Sequence, residues 1–61
     1  MRHKIGQEVV LKQDKDYDGV VVVAGTKGTV TDVAPMFGSC WVLFEKGIGH
    51  PVLVPDDELD P

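Results

Sequence analysis

The chain holds a single cysteine, Cys40, among its 61 residues, so no internal disulfide can staple it. Aromatic residues are scarce too: one Trp, one Tyr and two Phe. A chain this short hides only about 60% of the surface that its unfolded form exposes. Its core seldom contributes more than about 3 to 5 kcal/mol, which excludes a multidomain enzyme. Long apolar runs are missing. The longest, Val20 to Ala24, has five residues, far short of the roughly 20 that a membrane-spanning helix requires. No apolar stretch of export-signal length follows the basic start Met1 to Lys4. With a free cysteine, that points to a reducing cytoplasm. Positive charge is also in short supply, with six basic against ten acidic residues and a net charge of −4. That is the wrong sign for a domain built on phosphate contacts.

What the chain has in quantity is valine, eleven of its 61 residues, a β-branched type that fits a pleated sheet better than a helix. Turn signals divide the rest at intervals typical of a compact all-β domain. Glu8 to Lys12 reads as a strand with Val9 and Leu11 on one face. Gln13 to Gly19 is polar and reads as a long exposed loop carrying Tyr17. Val20 to Val23 does not alternate, which predicts a strand covered on both faces. Gly25 to Gly28 reads as a short turn whose glycines supply positive φ. In Thr29 to Ala34 the spacing of Val30 and Val33 breaks alternation and predicts a bulge near Asp32.

Pro35 to Ser39 then forms a loop with Met36 and Phe37 at its tip. Cys40 to Glu45 alternates cleanly, with Cys40, Val42 and Phe44 on one face and Trp41, Leu43 and Glu45 on the other. Val52 to Val54 is bracketed by Pro51 and Pro55. Asp56 then reads as the cap of one helical turn ending at Leu59, whose side chain folds back as a plug. Five short strands and one final helical turn describe a small barrel, a single domain over residues 1–61.

The order of these elements resembles the SH3-like barrel, and in particular its small bacterial variants. The resemblance is carried by Gly6-Gln7-Glu8-Val9-Val10-Leu11, Ala24-Gly25-Thr26-Lys27-Gly28-Thr29-Val30, Trp41-Val42-Leu43-Phe44 and Val54-Pro55-Asp56-Asp57-Glu58-Leu59. The Gly25 to Val30 stretch is similar to the KOW motif of transcription and ribosomal proteins, though shorter and without its basic surroundings. Similar openings, turns and acidic ends occur in photosystem I subunit IV, in the variable subunit of ferredoxin-thioredoxin reductase and in the barrel of nitrile hydratase β-subunits. The resemblance implies binding through the loops after the first strands and the aromatic side chains that face them, here Tyr17 and Trp41.

Residues that could carry chemistry are few. His3, Cys40 and His50 lack the paired short spacings of zinc sites, so neither a metal nor another cofactor is expected. Cys40 reads as a small core residue and His50 as an exposed turn residue. Asp14, Asp16 and Asp18 alternate as in calcium loops, but the acid at the twelfth position and the flanking helices are missing. No catalytic constellation follows.

The expected function is therefore non-enzymatic: a protein-binding module or accessory subunit working through exposed aromatic and acidic surface. Trp41 anchors it, with Tyr17, Leu43 and Phe37, as large aromatics do in interfaces. The alternative role for Trp41 is to cover the open end of the barrel. Four acids, Asp56, Asp57, Glu58 and Asp60, fall in the last six residues, and Asp56, Asp57 and Glu58 would orient a partner by charge. The early basic residues Arg2, Lys4, Lys12 and Lys15 lie far from that tip in sequence. Two other readings stand beside this one. A KOW-like nucleic-acid or ribosome-associated module would use Lys12, Lys15 and Lys27, against the sign of the net charge. A small acidic regulator, encoded by a phage or other virus, would occupy a basic surface of a host enzyme. The partner is expected to be a protein, with nucleic acid disfavoured, no membrane, and self-association left open.

Overall fold

A computed structural model describes residues 3–61 of the chain. Its strands are β1 (Glu8–Leu11), β2 (Lys15–Tyr17), β3 (Val20–Val22), β4 (Lys27–Ala34), β5 (Ser39–Phe44), β6 (Val52–Pro55) and β7 (Leu59–Asp60). Two single 3-10 turns, Pro35–Phe37 and Asp56–Glu58, stand before β5 and β7. Five strands form one sheet in the order β6-β5-β4-β1-β7, and β2 and β3 form a separate pair. Every pairing is antiparallel. The protein is all-β, a small SH3-like barrel with its helical turn just before the last strand.

β4 is long enough to serve two neighbours, pairing with β1 through Lys27–Thr29 and with β5 on its other side. Its register shifts between Val30 and Asp32. This is the expected bulge, and it bends the strand. On β5 the alternation holds: Cys40, Val42 and Phe44 are buried, while Trp41 and Leu43 face out. Val9 and Leu11 of β1, Val30 of β4, Val54 of β6 and Leu59 of β7 complete the centre of the core. The turn Asp56–Glu58 is tied down on both sides. The Asp56 amide donates to the Gly38 carbonyl at 2.9 Å, and the Glu58 carbonyl accepts from the Lys12 amide at 2.8 Å.

Four expectations need correction. Gln13 to Gly19 is no open loop, because β2 and β3 form a hairpin around Asp18 and Gly19, whose φ values are 55° and 88°. Asp-Gly at positive φ is the residue pair that two-residue hairpin turns prefer. Val20 to Val23 is not covered on both faces, since Val22 alone is buried and Val20, Val21 and Val23 are exposed. The hairpin has only one face against the core, and a chain this small has nothing to lay over the other.

Gly28 is no turn residue. It is buried in β4 opposite Phe44, and a Cβ there would stand 2.6 Å from Val42 Cγ1. Gly25 is the glycine of that segment with positive φ. Finally, Asp56 does not cap the last turn. Pro55 holds the cap position without a side-chain hydrogen bond, and Asp56 sits in the first turn, against His3.

Candidate functional site

The outer face of β5 and β6 carries the aromatic residue that the sequence singles out. Trp41 pairs directly with Leu53 across the two strands, and Leu43 lies two positions along on the same face of β5. Trp41, Leu43 and Leu53 are 40%, 39% and 38% exposed. Trp41 is therefore a half-exposed member of an apolar row. Cross-strand neighbours on one face stand close enough to act as a unit. Trp41 is further held between strands, with Asp32 of β4 as its other register partner.

Tyr17 joins this face to the hairpin. Its hydroxyl donates to the Leu53 carbonyl at 3.3 Å, and its ring packs against the core. Burial pushes its phenol pKa up, with Lys15 acting in the opposite direction and Glu58 adding to the rise. A cleft of about 510 Å³ opens beside it, lined among others by Tyr17, Asp18, Val20, Ile48, His50 and Val52. Its wall is largely apolar, which suits a protein or peptide side chain. Phe37 and Met36, in the turn before β5, are 75% and 93% exposed.

The acidic end behaves differently from its reading in sequence. Glu58 Oε1 is paired with Lys15 Nζ at 2.8 Å, and Asp60 Oδ1 lies 3.7 Å from Lys12 Nζ. Asp56 turns inward towards His3. Asp57 is thus the member of the tip left exposed and without an ion pair among the described residues. Lys12 and Lys15, distant from these acids in sequence, are their partners in space. That leaves Lys27, exposed at the start of β4, as the member of the basic set considered for nucleic acid that has no ion pair among the described residues.

The acids of the early loop have local work. Asp16 Oδ1 accepts from the Gly19 amide at 2.8 Å, and Asp14 Oδ1 from the Ala24 amide at 2.7 Å. They staple the hairpin locally, Asp16 across its turn and Asp14 to the segment that follows β3. Cys40 is buried, and its thiol is pushed up to about 11 by burial first and by the neighbouring Asp56 carboxylate second. An activated nucleophile needs the opposite environment.

Sequence spacing did not reveal one cluster. His3, Cys40 and Asp56 are brought together in the interior, although each is isolated in the chain. The hairpin was also overlooked, and there a signal existed in Asp18-Gly19 between two strand-like triplets. Among the described residues no helix is long and apolar enough to cross a membrane. Compared with protein-family models, with curated proteins and with solved structures, the chain has no significant match.

Proposed function

We propose that the chain is a non-catalytic binding module for another protein, with the outer face of β5 and β6 at the centre of contact. The observation that supports this reading is the pairing of Trp41 with Leu53, continued by Leu43, as an exposed apolar row on a rigid sheet. Contiguous apolar surface on a small protein marks interaction sites, and a Trp held in a sheet loses little side-chain freedom when it binds. The cleft beside Tyr17 extends the surface, and Asp57 is an exposed acid that a partner could also meet. Ion pairing of Lys12 and Lys15 counts against the nucleic-acid reading, because neutralised lysines release few counterions.

The test is affinity capture from the native host with the parent chain, with Trp41→Ala and with Lys46→Ala as a surface control. Central aromatic anchors contribute about 2 kcal/mol or more, so Trp41→Ala should lose the captured protein while Lys46→Ala keeps it. Iodide quenching of Trp41 fluorescence should fall when the purified partner is added. A complex that survives Trp41→Ala and leaves the indole open to iodide would overturn the proposal.

A further inference from the structure

Three side chains far apart in the chain meet at one place in the interior. His3 comes from the N-terminal segment, Cys40 from β5 and Asp56 from the turn before β7. An imidazole nitrogen, the thiol sulfur and a carboxylate oxygen all lie within 4.8 Å of one another. His3 and Cys40 are 2% and 1% exposed, and the Asp56 side chain is 14% exposed. His3 Nδ1 stands 3.5 Å from Asp56 Oδ1, yet it has no hydrogen-bond partner among the described residues. Leaving a buried polar atom unpaired costs about 1 to 3 kcal/mol, and folded proteins satisfy nearly all of them. Packing alone calls for a valine or leucine in such a place.

We propose that His3, Cys40 and Asp56 form a binding site for a zinc-class divalent cation. Imidazole, thiolate and carboxylate are the three ligand types that zinc accepts together. Calcium and magnesium take oxygen ligands and are disfavoured by the sulfur. Bonds of about 2.0 to 2.3 Å place tetrahedral ligand atoms about 3.4 Å apart, so the three groups draw inward on binding. His3 belongs to no strand, and its displacement opens the way in. The thiol proton passes to solvent as the sulfur coordinates, and a water fills the fourth position. The cation ties the N-terminal segment to β5 and to the last turn, the kind of cross-link that a small core without a disulfide benefits from.

The experiment uses the full chain, stripped with a chelator and titrated with Co²⁺, then with Zn²⁺. The expected result is one Co²⁺ per chain, with a thiolate-to-cobalt charge-transfer band and the visible absorption of four-coordinate cobalt. Zinc should displace it and raise the Tm. Cys40→Ser and His3→Ala should each abolish the band, and His50→Ala should retain it. Cys40 lies in the core, so if Cys40→Ser fails to fold the test rests on His3→Ala, outside the sheet. Absence of the charge-transfer band, a Tm indifferent to zinc, or cobalt binding by His3→Ala equal to the parent's would each overturn the site.

Discussion

Lys15 Nζ and Glu58 Oε1 meet at 2.8 Å, so the first strand of the hairpin is clamped to the turn before the last strand. The two ends of a chain that looks charge-separated in sequence are thus neutralised against each other. The same clamp sets Tyr17, two residues along β2, beside Leu53 of β6. The aromatic face and the ion pair are parts of one arrangement.

Removal of the Lys15 charge by Lys15→Met should cost about 1 kcal/mol, the upper end for pairs near the surface. The additional change Glu58→Gln should recover part of it, as a double-mutant cycle in urea would show. Hydrogen bonding to Glu58 raises the Lys15 pKa above the ordinary lysine value. A raised pKa in the folded state adds stability that is present at lower pH and is lost as pH rises through the folded value. The gap between parent and variant should therefore be constant near neutrality and close at strongly alkaline pH.

Gly28 and Gly25 should respond to alanine for different reasons. At Gly28 a Cβ would meet Val42 Cγ1 at 2.6 Å and the Leu43 carbonyl oxygen at 3.0 Å, so Gly28→Ala overpacks the core and should cost about 1 to 3 kcal/mol. At Gly25, where φ is +91° and nothing lies within 4 Å, the cost is backbone strain of about 1 to 2 kcal/mol. Val42→Ala, which removes a buried side chain, should cost less in the Gly28→Ala background than in the Gly25→Ala background. Denaturant midpoints of the four variants decide this.

Phe44 is 3% exposed on the inner face of β5, and Phe44→Ala should cost about 3 to 5 kcal/mol. That is comparable to the whole stability expected of a core this size. A cooperative melt close to the parent's would contradict its place in the core. Trp41→Ala should keep a cooperative melt, since its indole is 40% exposed, and iodide should quench the parent's fluorescence.

The Cys40 thiol, buried and with its pKa raised, should react with disulfide reagents far more slowly in the metal-free folded chain than in the unfolded one. Its pKa is pushed up to about 11 from 9.0. The unfolded chain therefore loses this proton first as pH rises, and stability should decline from about pH 9 to about pH 11. Cys40→Ala should flatten that part of the pH profile, which denaturant midpoints measured across the range would reveal.

Local periodicity made β5 legible. Cys40, Val42 and Phe44 alternate with Trp41 and Leu43, and one face must be the inner one. The bulge near Asp32 was readable for the same reason; Leu59, read as the end of a helical turn, is buried as expected but lies in β7 opposite Leu11. Val20 to Val23 misled because an unbroken apolar run usually means a strand covered twice, whereas this hairpin presses only Val22 into the core. Gly28 misled because a glycine beside a turn resembles a turn glycine, and only the approach of Val42 shows that its missing side chain makes room.

Side-chain alternation belongs to a single strand, so composition and spacing by themselves determined an all-β chain, the inner and outer faces of its clearest strands, and the exposed aromatic tip at Phe37. Which residues meet across the fold depends on strand register and on where each turn sends the chain, and no short stretch of sequence contains that. The tertiary structure alone decided that Lys15 neutralises Glu58, that Trp41 stands opposite Leu53, and that His3, Cys40 and Asp56 share one buried place. Each of these contacts joins segments whose separation is set by the pairing of β1 with β4 and β7 and of β5 with β6.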